Sequence, residues 1–206
     1  MTHHFFVAVL TYLIATASPG PSVMALMAVA MQQGRRDALA VACGIISGSV
    51  WWGSLAMLGF AGVLQTYAQL LVVLKFLGAA YLFWLAFNAL RKVVMHPSGS
   101  RALPVQSGSF ARLYLRGLKL HLSNPKSIFT WLAIASLSAQ SAPTWRDQLQ
   151  LLLTCAVICS GVFFTYAVVF STTSAQRYYL RCERFLHMAL TMTFGVAAVK
   201  LLTADH

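Results

Sequence analysis

The chain has 206 residues, of which 59% are hydrophobic and only 9% are charged, and its fifteen Lys and Arg residues outnumber its four Asp and Glu residues. Soluble domains carry roughly 25% charged residues, and a soluble chain with so few would expose large apolar patches. The composition therefore excludes an ordinary soluble enzyme and indicates a membrane protein. The net charge of +11 is then a signal of topology rather than of a nucleic-acid partner.

Six runs of fifteen or more residues contain no Asp, Glu, Lys or Arg, and they do not alternate between apolar and polar residues as barrel strands do. A helix needs about 20 mostly apolar residues to cross a bilayer. The runs therefore predict six transmembrane helices, near residues 5–31, 39–63, 70–91, 115–139, 148–171 and 184–203. A signal peptide competes for the first run, but no Lys or Arg precedes it and its apolar character resumes after residue 22.

Basic residues mark the cytoplasmic loops of a membrane protein. Eleven of the fifteen lie in the loops after the first, third and fifth predicted helices, whereas the other two loops contain Arg146 alone. This distribution predicts that both termini lie outside and the three basic loops inside. The longest loop, residues 92–111, is rich in Pro, Ser and Gly, which is typical of a flexible linker. It divides the chain into two three-helix parts, residues 1–91 and 112–206.

The two parts are interrupted at corresponding places. Because one part begins outside and the other inside, a repeat between them has inverted topology. The first helix of one part is broken at Ser18–Pro21 and the first helix of the other at Ser123–Lys126. Matched breaks in inverted halves are typical of transporter binding sites. The fold predicted is an all-α polytopic membrane protein of six helices, built as two inverted three-helix repeats.

The breaks leave backbone groups without helical partners. Proline lacks an N–H and its ring clashes with the carbonyl four residues earlier, so the three prolines free the carbonyls of Ala15, Ala17 and His121. The helices that follow begin with unpaired N–H groups, those of Ser22 to Met24 and of Ser127 to Phe129. Carbonyls accept from an ammonium group, and helix N-termini donate to a carboxylate. The two breaks together therefore suit a zwitterion such as an amino acid.

This argument predicts a substrate-binding site formed by Ser18, Pro19, Gly20, Pro21, Ser22, Asn124, Pro125 and Lys126. The alternative is that the prolines only kink the helices, which transmembrane helices tolerate. Lys126 also has two interpretations. It contacts a substrate carboxylate, or it is held by a water molecule or by carbonyls of the first helix.

Three residues are candidates for gating or proton coupling, since no Asp or Glu lies inside a predicted span. Lys75 lies inside the third helix, or else snorkels to the outer surface. Glu183 and His187 lie one turn apart at the inner end of the sixth helix, where an interfacial pair near Arg184 is the favoured interpretation and proton carriers are the alternative.

Small residues are interpreted as packing positions. Ala40, Gly44 and Gly48 form a stripe on the second helix that allows a close approach, within the chain or between two copies of it. Cys155 and Cys159 lie one turn apart, but two thiols without a nearby His or acid make a poor zinc site. No metal, cofactor or disulfide framework is predicted.

Five segments, in order along the chain, resemble the LysE/RhtB family of bacterial amino-acid exporters: Ser18-Pro19-Gly20-Pro21, Gly34-Arg35-Arg36-Asp37-Ala38, Gly44-Ile45-Ile46-Ser47-Gly48, Lys75-Phe76-Leu77-Gly78-Ala79-Ala80-Tyr81-Leu82 and Asn124-Pro125-Lys126. The resemblance implies export of small amino acids of the threonine and homoserine type across the inner membrane, driven by the proton gradient. The partners are then an amino-acid substrate, protons and lipid. Many family members carry Asn or Asp after the second proline, where this chain has Ser22.

Two other functions remain as alternatives. One is export of a different solute, although the scarcity of carboxylates disfavours divalent cations. The other is an intramembrane serine hydrolase that uses Ser47 or Ser160 with His187. Neither serine lies in a nucleophile motif, and no second histidine is expected deep in the bilayer. The sequence therefore favours a transporter over an enzyme.

Overall fold

The computed structural model describes residues 2–60, 108–139 and 143–175, and shorter stretches at 83–84, 86–87, 90–91, 177–178, 188, 191–192, 195–196 and 199. These residues form helices and turns and contain no strand, which confirms the prediction of an all-α chain. The chain divides into two compact units, residues 1–62 with 104–172 and residues 63–103 with 173–206. The first unit therefore combines segments from both sides of the linker.

The first predicted helix is two helices, α1 (Thr2–Ala17) and α2 (Pro21–Gln33), which are bent by 46°. The break at residues 18–20 is where the sequence predicts it. Pro21 is the first residue of α2, a position where the missing N–H of proline costs nothing. One residue, Gly34, joins α2 to the next helix with φ of +86°, in the left-handed region that favours glycine.

Helix α3 (Arg35–Leu55) follows and continues as a π-helical turn over Ala56–Phe60. The fourth predicted helix is also two helices, α4 (Phe110–Leu122) and α5 (Pro125–Ala139), and it begins five residues earlier than predicted. Helix α6 (Trp145–Val169) begins with a capping box between Thr144 and Asp147.

Two described helices, Arg35–Leu58 and Trp145–Val169, are long and apolar enough to cross a membrane, and the bent pair α1–α2 makes a third candidate span. The predicted third and sixth helices belong to the second unit. Their described residues are helical, and most of their length lies outside the described residues. Large apolar side chains face outward from the first unit, with Phe6 75% and Val157 72% exposed, which suits lipid rather than water.

Glycines bring α3 and α4 into backbone contact. A Cβ atom at Gly44 would overlap the carbonyl oxygen of Tyr114, and one at Gly117 would overlap that of Val41. Gly48 faces the side chain of His121, whose Cβ would lie 3.1 Å from a Cβ added there. The prediction that this stripe serves packing is confirmed, and the contact lies within the chain. Cys155 and Cys159 are also fully buried.

We expect Gly44→Ala to lower the free energy of unfolding by about 1–3 kcal/mol, because the added methyl group forces two helix backbones apart. Thermal unfolding of the purified protein in detergent measures the effect. The matched control is Gly161→Ala in α6, since no atom lies within 4 Å of a Cβ added at Gly161. Equal melting temperatures for the two variants would contradict this packing.

Candidate functional site

The two helix breaks lie side by side in the first unit, about one hundred residues apart in the chain. Side chains at the second break bond to the first: Lys126 contacts Ser18, and the Asn124 amide donates to the Ser22 hydroxyl at 3.0 Å. Each break exposes polar backbone that needs a partner inside a membrane. The breaks therefore satisfy part of each other's hydrogen-bonding capacity.

Lys126 spans the gap between the breaks. Its ammonium nitrogen donates to the Ser18 carbonyl oxygen at 2.6 Å and to the Ser18 hydroxyl oxygen at 2.8 Å. The side chain passes Gly20, where an added Cβ would lie 3.0 Å from Lys126 Cδ and 3.2 Å from Nζ. A larger residue at this position would therefore require the lysine chain to shift by a few tenths of an ångström. The second interpretation of Lys126, contact with a carbonyl of the first helix, is what the structure shows.

The carbonyls freed by the prolines already have partners. Ala15 accepts from the Ser18 hydroxyl at 2.9 Å, and Ala17 accepts from the Tyr166 hydroxyl of α6 at 2.9 Å. The His121 carbonyl accepts from the Asn124 N–H at 3.2 Å. In this conformation each of the three carbonyls therefore accepts one hydrogen bond from within the protein, because buried backbone acceptors take a nearby donor.

The two helix N-termini after the breaks differ. Asn124 caps α5: its side-chain oxygen accepts from the Lys126 N–H at 3.1 Å, and its carbonyl accepts from the N–H groups of Ser127 and Ile128. The expectation of unpaired N–H groups is therefore wrong for Ser127 and Ile128. No side chain caps α2, which begins after Gly20. Its first backbone bond runs from Met24 to Gly20, so the expectation of an unpaired N–H is also wrong for Met24. The α2 N-terminus is the end that favours an anion.

His121, a residue that sequence reasoning missed, connects the breaks. It is only 7% exposed, and its Nδ1 lies 3.1 Å from the Ser22 hydroxyl and its Nε2 2.7 Å from the Ser127 hydroxyl. The ring meets Phe163 edge-on, with centroids 6.1 Å apart. No role is predicted from the sequence for the side chain of this histidine. The sequence did contain one indication of its role: His121 lies four residues before Pro125, about one helical turn before the break.

A second polar cluster lies beside the first. The Ser49 hydroxyl lies 2.7 Å from the Tyr12 hydroxyl and accepts from the Trp131 indole N–H at 3.1 Å. The Tyr12 and Trp131 rings are 5.0 Å apart. Sequence reasoning missed these contacts, since aromatic residues in apolar helices give no signal of a polar partner.

These groups line one cavity, together with Gly20, Ser22, Asn124, Lys126 and Thr130. The space open to the centre of a water-sized sphere is about 30 Å³, and one water needs roughly 10–15 Å³ of such space. The cavity thus has room for about two water molecules but not for an amino acid. Its lining, which consists of described residues, includes Lys126 and no Asp or Glu.

The remaining predicted site residues have different positions. Ser18 bonds Lys126 but is not among the residues that line the cavity, and Pro21 and Pro125 are the first residues of α2 and α5. Pro19 lies in the first break. The three candidates for gating or coupling, Lys75, Glu183 and His187, lie outside the described residues.

An apolar helical protein with two broken helices around a polar cavity belongs to the class of membrane transporters. The LysE type translocator model matches residues 13–205. The chain therefore belongs to the LysE type translocator family, as the motifs in the sequence indicate.

The relatives of this chain include two kinds of amino-acid efflux protein. The threonine efflux protein of Salmonella typhi is 28% identical over 134 residues, which cover 65% of each chain. The leucine efflux protein of Enterobacter sp. strain 638 is 27% identical over 161 residues, 78% of this chain and 75% of its own. The uncharacterized membrane protein YahN of Escherichia coli is 24% identical over 97% of this chain and 89% of its own. No solved structure matches the chain.

We expect Asn124→Ala to lower the free energy of unfolding by about 1–2 kcal/mol, because α5 loses its N-cap. Asn124→Asp keeps the side-chain oxygen that accepts from Lys126 N–H, and it should recover most of this loss in a thermal unfolding measurement. The neighbouring Ser123→Ala is the control, since Ser123 is exposed and bonds only carbonyls of α4. If Asn124→Ala melts at the wild-type temperature, the capping role is wrong.

Proposed function

We propose that this protein is a secondary transporter that exports small amino acids of the threonine and homoserine type across the bacterial inner membrane, in exchange for protons. The substrate binds between the two broken helices. The observation that carries the proposal is the meeting of both breaks at one polar cavity, where a lysine ammonium lies beside an uncapped helix N-terminus. The names of the efflux relatives support an amino-acid substrate.

The substrate carboxylate binds between Lys126 and the N-terminus of α2. Both carry positive charge or partial charge, and the cavity lining contains no acid to neutralise it. A carboxylate supplies the missing negative charge and accepts charge-assisted hydrogen bonds. Asn124 and Ser22 belong to the same hydrogen-bonded cluster, which holds the α2 N-terminus against the second break.

The cavity opens before it binds substrate. Its volume of about 30 Å³ holds water but not threonine, so this conformation suits the closed, empty state. Movement of one inverted half against the other would enlarge the cavity and expose it to each side in turn. We place six spans in the protein, three in residues 1–91 and three in 112–206, joined by the cytoplasmic linker 92–111, with both termini periplasmic.

A hydrolase finds no support in the site. The Ser160 hydroxyl donates to the Ala156 carbonyl at 2.8 Å. His121 contacts two serines, but its second ring nitrogen meets Ser22 rather than a carboxylate that would orient a catalytic base. The LysE type translocators are transporters and not enzymes.

We expect cells that express the protein to export labelled threonine or homoserine faster than control cells. Lys126→Gln should reduce this efflux at least about tenfold, because the carboxylate loses a charged donor. Pro21→Ala should also lower efflux, since it removes the ring that fixes the backbone at the first residue of α2. Rates are measured at equal amounts of protein in the membrane.

The matched control for the efflux measurement is Lys119→Gln, which removes an exposed lysine of α4 outside the cavity. It should export as the wild type does. Unchanged efflux in both Lys126→Gln and Pro21→Ala would show that the site assignment is wrong. Efflux of leucine alone would keep the site and change the substrate.

The proposed topology is tested with alkaline phosphatase, which is active only outside the cytoplasm. Fusion after His206 should give an active enzyme, and fusion after Gly99 in the linker an inactive one, because basic loops stay inside. Green fluorescent protein at the same two points should give the opposite pattern. Activity at both points, or at neither, would contradict the six-span arrangement.

A further inference from the structure

Lys126 occupies a small subsite that is built for an ammonium group. We propose that the carbonyl and hydroxyl oxygens of Ser18 form an ammonium subsite beside the substrate cavity, and that the ammonium of Lys126, which lines the cavity, fills this subsite when no substrate is bound. The inference rests on the proposed function for the identity of the ligand, a zwitterion with a primary ammonium group. It assigns a particular pair of oxygens to that group.

The Ser18 carbonyl is available because of the bend between α1 and α2. In an unbroken helix it would accept from the N–H of Ser22. The break removes that bond, and the Lys126 ammonium donates to the carbonyl at 2.6 Å instead. The carbonyls directly opposite the prolines, those of Ala15 and Ala17, are already bonded within the protein. Ser18 is thus the carbonyl of the first break that meets a cation.

The Ser18 hydroxyl is held as an acceptor toward the subsite. It donates its single proton to the Ala15 carbonyl at 2.9 Å, so its lone pairs are left for another donor. The Lys126 ammonium lies 2.8 Å from this oxygen. The two Ser18 oxygens therefore form a pair of acceptors whose directions are set before any ligand arrives, at distances typical of charge-assisted bonds.

The space that leads to the subsite is narrow, and the described residues around it include no acidic side chain. Gly20 leaves the space through which the lysine chain reaches Ser18, since an added Cβ would lie 3.0 Å from Lys126 Cδ. No Asp or Glu is among the described residues that line the cavity. A cation here must be bound by neutral oxygens, and the Ser18 pair is the one that the structure shows binding a cation.

Substrate binding then exchanges one ammonium for another. The ammonium of the amino acid takes the Ser18 oxygens, and the Lys126 ammonium leaves on its flexible four-carbon chain to meet the substrate carboxylate. Each charged group therefore has a hydrogen-bonding partner both before and after the substrate binds. When the substrate leaves, Lys126 returns and closes the cavity to the small volume observed.

The test removes the lysine side chain from the subsite and supplies a small ammonium ion from solution in its place. In Lys126→Ala, propylammonium at concentrations far above its Kd should raise the melting temperature by about 2–4 °C or more, because a ligand of the native state stabilises it. Tetramethylammonium, which has no N–H donor, should have no effect. Wild-type protein should not respond to propylammonium, since its subsite is filled, and neither should Lys119→Ala, the exposed-lysine control. An absent response in folded Lys126→Ala, or an equal response to tetramethylammonium, overturns the subsite.

A second measurement uses the wild type alone and so does not depend on the folding of a variant. L-threonine should stabilise it at concentrations at least tenfold lower than 2,3-dihydroxybutyrate, in which a hydroxyl replaces the amino group. Equal stabilisation by the two would overturn the subsite and leave the proposed function standing, since the carboxylate would then suffice. Failure of every small amino acid to bind would overturn the proposed function, and the propylammonium measurement would still decide whether the subsite exists.

Discussion

The contact between the Lys126 ammonium and the oxygens of Ser18 is the interaction on which the site depends. A charged group within a membrane protein is costly unless polar atoms surround it, and the break in the first helix supplies those atoms without any acid. The contact also ties together two segments more than one hundred residues apart. Gly20 leaves the lysine chain its path to that carbonyl, and the break leaves the carbonyl without its helical donor.

The two breaks are alike in sequence but unlike in their chemistry. At the second break Asn124 caps α5 and also donates to Ser22, so that the N-terminus of α5 is satisfied within the protein. At the first break no side chain caps α2. The pair of helix breaks thus leaves one helix N-terminus without a side-chain cap, and the proposed binding mode uses that end. A zwitterion placed there has a defined direction, with its carboxylate toward α2.

Close helix packing determines where the polar groups lie. Gly44 and Gly117 allow the backbones of α3 and α4 to touch, and this contact brings His121 against Gly48. From there the ring reaches Ser22 of one break and Ser127 of the other. The glycine stripe is therefore part of the site's construction although it is outside the cavity, because a larger residue would shift α4 and the imidazole with it.

The sequence by itself determined the membrane class, the positions of both breaks and most of the residues around them. These features are local: charge-free runs predict spans, and the ring of proline disrupts a helix wherever it occurs. Only the tertiary structure decided that Lys126 meets the Ser18 carbonyl and that His121 is buried between two serines. The contacts of Lys126 with Ser18 and of His121 with Ser22 join residues about one hundred positions apart in the chain. The position of His121 also depends on how closely α3 and α4 pack, which the pattern of residues along one helix does not specify.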